Sequence, residues 1–152
     1  MSLSVADAFG ELLRADPAAP VAWTATGTVT RASLHERAVL IGELLQDVPV
    51  GRRIALSVRD GATFLAAFLA VARRSHVAVL MDAADPRAPR HDLAAQLGAT
   101  GVLVDDPELS FQPCGGGALA GADRAIKLTS GSTGEPTAIA VGDAELLADA
   151  QA

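Results

Sequence analysis

Arg53-Ile54-Ala55-Leu56-Ser57-Val58 opens the stretch on which the fold turns, and its short apolar run reads as a buried strand. Asp60 follows at the position of a helix cap, ahead of a helix expected from Ala62 to about Arg73. Phe64, Leu65, Phe68, Leu69 and Val71 make that helix apolar around much of its circumference, so sheet and neighbours should cover it. Val77-Ala78-Val79-Leu80-Met81 then suits a parallel strand with both faces covered, ended by Asp82. A loop is expected at Asp85-Pro86, a helix from Arg90 to Leu97 with Gly98 as its stop, and a further strand at Val102-Leu103-Val104. Strand, helix, strand, helix, strand from Ile54 to Val104 is the pattern of right-handed crossovers in a largely parallel sheet. The fold class is therefore α/β, with helices flanking the sheet.

Toward the amino terminus, Ser4 and Asp7 stand at capping-box spacing before Val5, Phe9, Leu12 and Leu13, which share one face of a short helix ended by Pro17 and Pro20. Val21 to Thr26 and Thr28-Val29-Thr30 suggest a hairpin turning at Gly27. Ser33 and Glu36 offer a second capping box for a helix carrying Leu34, Ala38, Ile41 and Leu45. Toward the carboxyl terminus, Pro113 to Gly117 reads as a flexible loop or hairpin tip, and Ala125-Ile126-Lys127-Leu128 as a strand that leads into Thr129 to Gly134. Asp143 to Ala152 has helix-favouring composition.

A chain of 152 residues, half of them hydrophobic, is long enough for one domain with its own core. A net charge of −6 argues against general affinity for nucleic acid or anionic membranes, so any phosphate must be held locally. The single cysteine, Cys114, can make no internal disulfide and has no companions at metal-ligand spacing, which fits a reduced, cytoplasmic setting without structural zinc. No signal-peptide pattern or bilayer-length apolar run is present, so a soluble protein with no membrane partner is expected.

Chemistry concentrates in Leu128-Thr129-Ser130-Gly131-Ser132-Thr133-Gly134-Glu135-Pro136. Thr129, Ser130, Ser132 and Thr133 supply four hydroxyls, and Gly131 and Gly134 allow unusual dihedrals and close backbone approach. Successive backbone N–H groups in such a turn can form an anion-binding nest, aimed at charge that develops on phosphate. A polar turn between two strands would have the same composition. The spacing is neither that of the Walker loop nor that of the Gly-x-Gly-x-x-Gly dinucleotide fingerprint. Nor is there a Gly-x-Ser-x-Gly nucleophile elbow.

The order of residues from Leu128 to Pro136 closely resembles the phosphate-binding signature of the adenylate-forming superfamily: acyl-CoA synthetases, nonribosomal peptide synthetase adenylation domains and luciferases. Val29-Thr30-Arg31-Ala32-Ser33-Leu34 is similar to that family's early Leu-Thr-x-x-Glu-Leu motif. Phe68-Leu69-Ala70-Val71 through Val79-Leu80-Met81-Asp82 is similar to its following helix and strand, and Asp85-Pro86 falls where members often carry Asp-Pro. The resemblance runs from about Val5 to Val141. It implies ATP and Mg²⁺ as cofactors, a small carboxylic acid as substrate, release of pyrophosphate from an acyl-AMP-forming step, and transfer of the acyl group to a thiol acceptor, CoA or a carrier protein. Thr129, Ser130, Gly131, Ser132, Thr133 and Gly134 are the implied phosphate contacts, with Thr137 a weaker member. No catalytic residue and no metal ligand is named among these residues.

The same resemblance marks departures. Members usually place Lys or Arg directly after the loop's proline, where this chain has Thr137. Another basic residue compensates, Mg²⁺ carries more of the neutralisation, or part of the ATP function is lost. Lys127 is expected to face solvent or sheet. Ser75-His76 stands where members commonly have glycine, and His76 reads as a loop or strand-entry histidine; His35 and His91 read as surface residues. Asp82 and Asp105-Asp106-Pro107 read as caps or turn formers rather than Mg²⁺ ligands. The resemblance implies a chain several times longer, of which residues 1–152 form the amino-terminal subdomain, inactive alone and without tight ATP binding. The rival expectations are a non-catalytic α/β interaction module, degenerate or part of a split assembly, and a simple nucleotide- or anion-binding domain. An exposed sheet edge would promote a homo-oligomer.

Overall fold

The computed structural model describes residues 3–84, 90–119, 121–130, 134 and 136–150, with Arg90 and Ser130 described by backbone alone. In chain order the elements are α1 (Val5–Ala15), β1 (Pro20–Thr24), β2 (Gly27–Thr30), α2 (Arg31–Leu44), β3 (Arg53–Ser57), α3 (Gly61–Arg73), β4 (Val77–Leu80), α4 (Arg90–Gln96), β5 (Ala99–Asp105), β6 (Leu109–Pro113), β7 (Ala125–Ser130), β8 (Pro136–Val141) and α5 (Asp143–Asp149). Six strands form one sheet in the order β6-β5-β3-β4-β7-β8, and β1-β2 form a separate hairpin. β3 pairs in parallel with β4 and β5, and β4 with β7, whereas β6 and β8 run antiparallel at the two edges. The α/β, largely parallel sheet flanked by helices is thus the observed architecture.

Two cores follow from the alternation of strand residues. Ile54, Leu56 and Leu103 join a cluster with Leu34, Ile41 and Leu45 of the α2 region and Ala66, Leu69 and Val71 of α3. Ala55, Val79, Val102 and Ile126 face the other way, against Ala94 of α4. The chain moves one way along the sheet from β3 to β4 and the opposite way from β4 to β5. Crossovers of a single hand then place α3 and α4 on opposite faces, as the two clusters record.

Caps and turns follow the local sequence in part. Ser4 caps α1, its hydroxyl accepting from the Asp7 N–H at 3.1 Å, and Asp60 caps α3 from the Thr63 N–H at 2.8 Å. On α1, however, Leu12 is 50% exposed while Phe9 packs on the core. Leu65 is likewise exposed on the otherwise well-covered α3. The helix α2 begins earlier than Ser33: Thr30 is its cap, and Thr30 and Ser33 exchange side-chain to N–H bonds of 2.9 and 3.2 Å, so Glu36 plays no part in the cap. The first hairpin turns at Ala25-Thr26, and Gly27, with φ of 140°, opens β2 instead.

Strands β6 and β8 carry no sequence signal strong enough to announce them. β6 is a five-residue ribbon in which Leu109 and Phe111 pack on the core between polar Ser110 and Gln112, and Phe111 occupies the space a side chain at Gly101 would need. β8 contains Pro136, Thr137 and small alanines and is exposed along nearly its whole length. The Asp85-Pro86 loop expectation lies outside the described residues.

Leu103 is fully buried where the α2 and α3 side of the sheet is thickest. Urea unfolding should show Leu103→Ala losing about 2–5 kcal/mol. Leu40→Ala, on a side chain 63% exposed, should stay within about 0.5 kcal/mol. Equal effects would contradict the assigned core.

Candidate functional site

Parallel pairing of β3, β4, β5 and β7 gathers their carboxyl ends on one edge of the sheet, the edge at which open α/β sheets present loops to ligands. β7 is continuous through Ser130, and Thr129 pairs with Thr137 and Ser130 with Pro136 of β8. Thr129 and Ser130 therefore belong to strand β7, paired with β8, rather than to a free loop. Gly131, Ser132 and Thr133 lie outside the described residues, as does the Ser130 side chain.

Directly opposed residues of an antiparallel pair project to the same face, so Thr129 and Thr137 lie side by side, and both are exposed. The Thr129 hydroxyl donates to the Thr137 carbonyl at 3.3 Å. That is long for a hydroxyl bond, so an anionic oxygen would compete for the proton. Gly134 has φ of 82°, and no described residue lies within 4 Å of where a side chain would stand. Lys127 is exposed, as expected.

Two acids of this edge are occupied by the backbone. Asp105, at the end of β5, accepts from the N–H groups of Arg59 and Asp60 at 2.9–3.1 Å and so fixes the turn from β3 into α3. Asp82, at the end of β4, accepts from the Ala84 N–H at 2.8 Å in a turn of its own. Both act as turn formers. The Thr63 hydroxyl and N–H hold the Asp60 carboxyl below the usual range. Among the described residues no group of three or more His, Cys, Asp or Glu side chains could hold a metal ion.

His76 belongs to the opposite, amino edge. It is completely buried; its Nδ1 accepts the Arg52 N–H at 3.3 Å, its carbonyl accepts from Arg124 at 3.2 Å, and its Nε2 has no partner among the described residues. Ser75 before it has φ of 57°, which accounts for glycine being the more natural occupant of that turn. A cleft of about 790 Å³ beside α1, lined by residues such as Phe9, Leu13, His35 and Arg73, also lies away from the hairpin. Sequence reasoning had no means of finding the Asp105 contact, because it joins residues 45 and 46 positions apart.

No family model matches the chain, and no curated protein matches it. Solved structures do. The N-terminal subdomain of Klebsiella oxytoca NpsA, in complex with 3-hydroxybenzoyl-AMSN, superposes with a TM-score of 0.72 at 21% identity over 93% of this chain and 41% of that one. ATP-bound MatB from Rhodopseudomonas palustris gives 0.72 at 20% over 96% and 36%. The anthranilate CoA ligase AuaEII, in complex with anthranoyl-AMP, gives 0.77 at 17% over 99% and 36%. The chain spans less than half the length of each. What it shares with them is the fold: a mostly parallel six-stranded sheet flanked by helices, as in the N-terminal part of those proteins. Among the described residues no helix is long and apolar enough to cross a membrane.

Burial, and secondarily the Arg74 charge, push the His76 imidazole below its usual value of 6.5. Above that value both folded and unfolded states hold it neutral; as pH falls below it, the unfolded chain takes up a proton that the folded chain refuses, and stability declines. Urea midpoints should fall as pH drops below about 6.5, and His76→Gln should make that fall shallower. An unchanged slope in the variant would contradict the burial.

Proposed function

We propose that this chain is the amino-terminal part of an ATP-dependent, carboxylate-adenylating ligase of the acyl-CoA synthetase kind. The observation that carries the reading is the coincidence of two independent features. The sequence from Leu128 to Pro136 has the order of the adenylate-forming phosphate signature, and its strand ends on the carboxyl edge of a sheet shared with a CoA ligase and with an ATP-bound enzyme.

In this reading Thr129, Ser130, Gly131, Ser132, Thr133 and Gly134 hold the β and γ phosphates through hydroxyls and backbone N–H groups, with Thr137 a weaker contact. A carboxylate oxygen attacks the α phosphorus, the bond to the bridging oxygen breaks, and pyrophosphate leaves carrying the electron pair. A thiol of CoA or of a carrier protein then takes the acyl group and AMP departs. The hairpin's part is to fix donors where negative charge grows on the leaving group. The positive φ of Gly134 and paired hydroxyl residues at 129 and 137 fit a polyphosphate. The described residues present no carboxylate cluster for Mg²⁺, so no step is assigned to it.

Residues 1–152 are read as the subdomain that ends just after the phosphate hairpin, in a cytoplasmic protein. The adenine, ribose and acid pockets belong to further sequence, so this subdomain alone neither adenylates nor binds ATP tightly. The absence of a cation at Thr137 favours a second reading, a non-catalytic nucleotide-binding or interaction module.

Carboxylate-dependent ATP–pyrophosphate exchange on the longest natural reading frame containing these residues decides between them. Exchange is expected with at least one acid of a broad panel, reduced about 10²-fold by Gly131→Val combined with Ser132→Ala. No exchange with any acid would sink the ligase reading.

A further inference from the structure

A polyanion held by hydroxyls and amides alone lacks a counter-charge, and the sheet register shows which residue can supply it. Lys127 and Thr129 are two apart on β7, so alternation puts them on one face, and that face is shared by their cross-strand partners Ile139 and Thr137. On the other side Lys127 pairs with Leu80 of β4. The lysine stem therefore rises between two apolar neighbours, one row behind the two threonines. An ammonium on such a stem extends toward water and toward any anion seated there. No hydrogen bond or ion pair engages it among the described residues, and β8 contains no acid that could.

The arginines near the sheet's amino edge are committed elsewhere. Arg52 donates to the Gly117 carbonyl, Arg53 to that of Leu97, Arg74 to that of Gln46, and Arg124 pairs with Asp143 at 3.0 Å. Arg59, on the carboxyl edge, follows β3, which is two strands from β7. Lys127 is the only cation on the described part of the β7-β8 ribbon.

We infer that Lys127 is the phosphate-contacting cation of the hairpin, reaching forward along β7 to the anion that Thr129 and Thr137 flank. The inference rests on the phosphate reading of the hairpin given above. It replaces the expectation of a merely solvated lysine with a placed one. It also accounts for an uncharged residue at 137, since Lys127 and Thr137 address the same space from diagonal positions.

Isothermal titration of inorganic pyrophosphate into the longest natural reading frame tests it. Lys127→Ala should weaken binding about tenfold. Adding Thr137→Lys to that variant should restore most of the loss, since it returns the charge to the same face. Arg59→Ala, which removes equal charge two strands away, should change affinity less than about threefold. Circular dichroism checks that each variant folds. If Lys127→Ala binds like the parent while Gly131→Val with Ser132→Ala does not, the lysine assignment is overturned and the hairpin reading stands. A lysine loss that Thr137→Lys fails to rescue, or that Arg59→Ala matches, also overturns the assignment. A parent protein that binds no pyrophosphate overturns both.

Discussion

Parallel pairing of β4 with β3 on one side and β7 on the other is the constraint from which the rest follows. It forces the chain to cross between strands through helices, it buries both faces of the central strands, and it brings the ends of β3, β4, β5 and β7 to one edge. Two antiparallel hairpins, β5-β6 and β7-β8, close the sheet on either side. The second of these brings Thr129 and Ser130 to that edge, so the pairing that makes the core also places residues proposed to contact phosphate.

The two edges differ in how polar groups are used. At the amino edge, arginines and a buried histidine tie loops and helix ends together: Arg53 donates to the carbonyl after α4, Arg74 to the one after α2, and Arg124 to that of His76. Asp143 joins Arg124 to the start of α1 by accepting the Val5 N–H at 2.8 Å. These bonds use charge for structure. At the carboxyl edge, Asp105 and Asp82 fix turns, while Lys127, Thr129, Thr137 and Gly134 retain groups directed to solvent.

How much of this was legible depended on where each signal is stored. Ile54 to Val104 could be read because strands covered on both faces are continuous apolar runs and their helices announce themselves with caps such as Asp60. β6 and β8 could not: β6 alternates over only four residues, Leu109 to Gln112, and β8 is an exposed edge strand rather than one covered on both faces. Thr30 displaced Ser33 as the α2 cap because both residues are competent and only their reciprocal bonds decide. The phosphate-like segment stood out by residue order, yet the strand character of Thr129 and Ser130 and the shared face of Lys127, Thr129 and Thr137 required the register. Asp105 was legible as a turn former, but its partners, the Arg59 and Asp60 N–H groups, are set by a long-range contact.

The proposed polyphosphate position is beside the paired ends of β7 and β8. Amide hydrogen exchange on the longest natural reading frame, with and without ATP, tests that placement most directly. Slowed exchange at Thr129, Ser130 and Gly134 on addition of ATP is the predicted result. ATP binding that leaves those three amides unchanged while protecting others would contradict it.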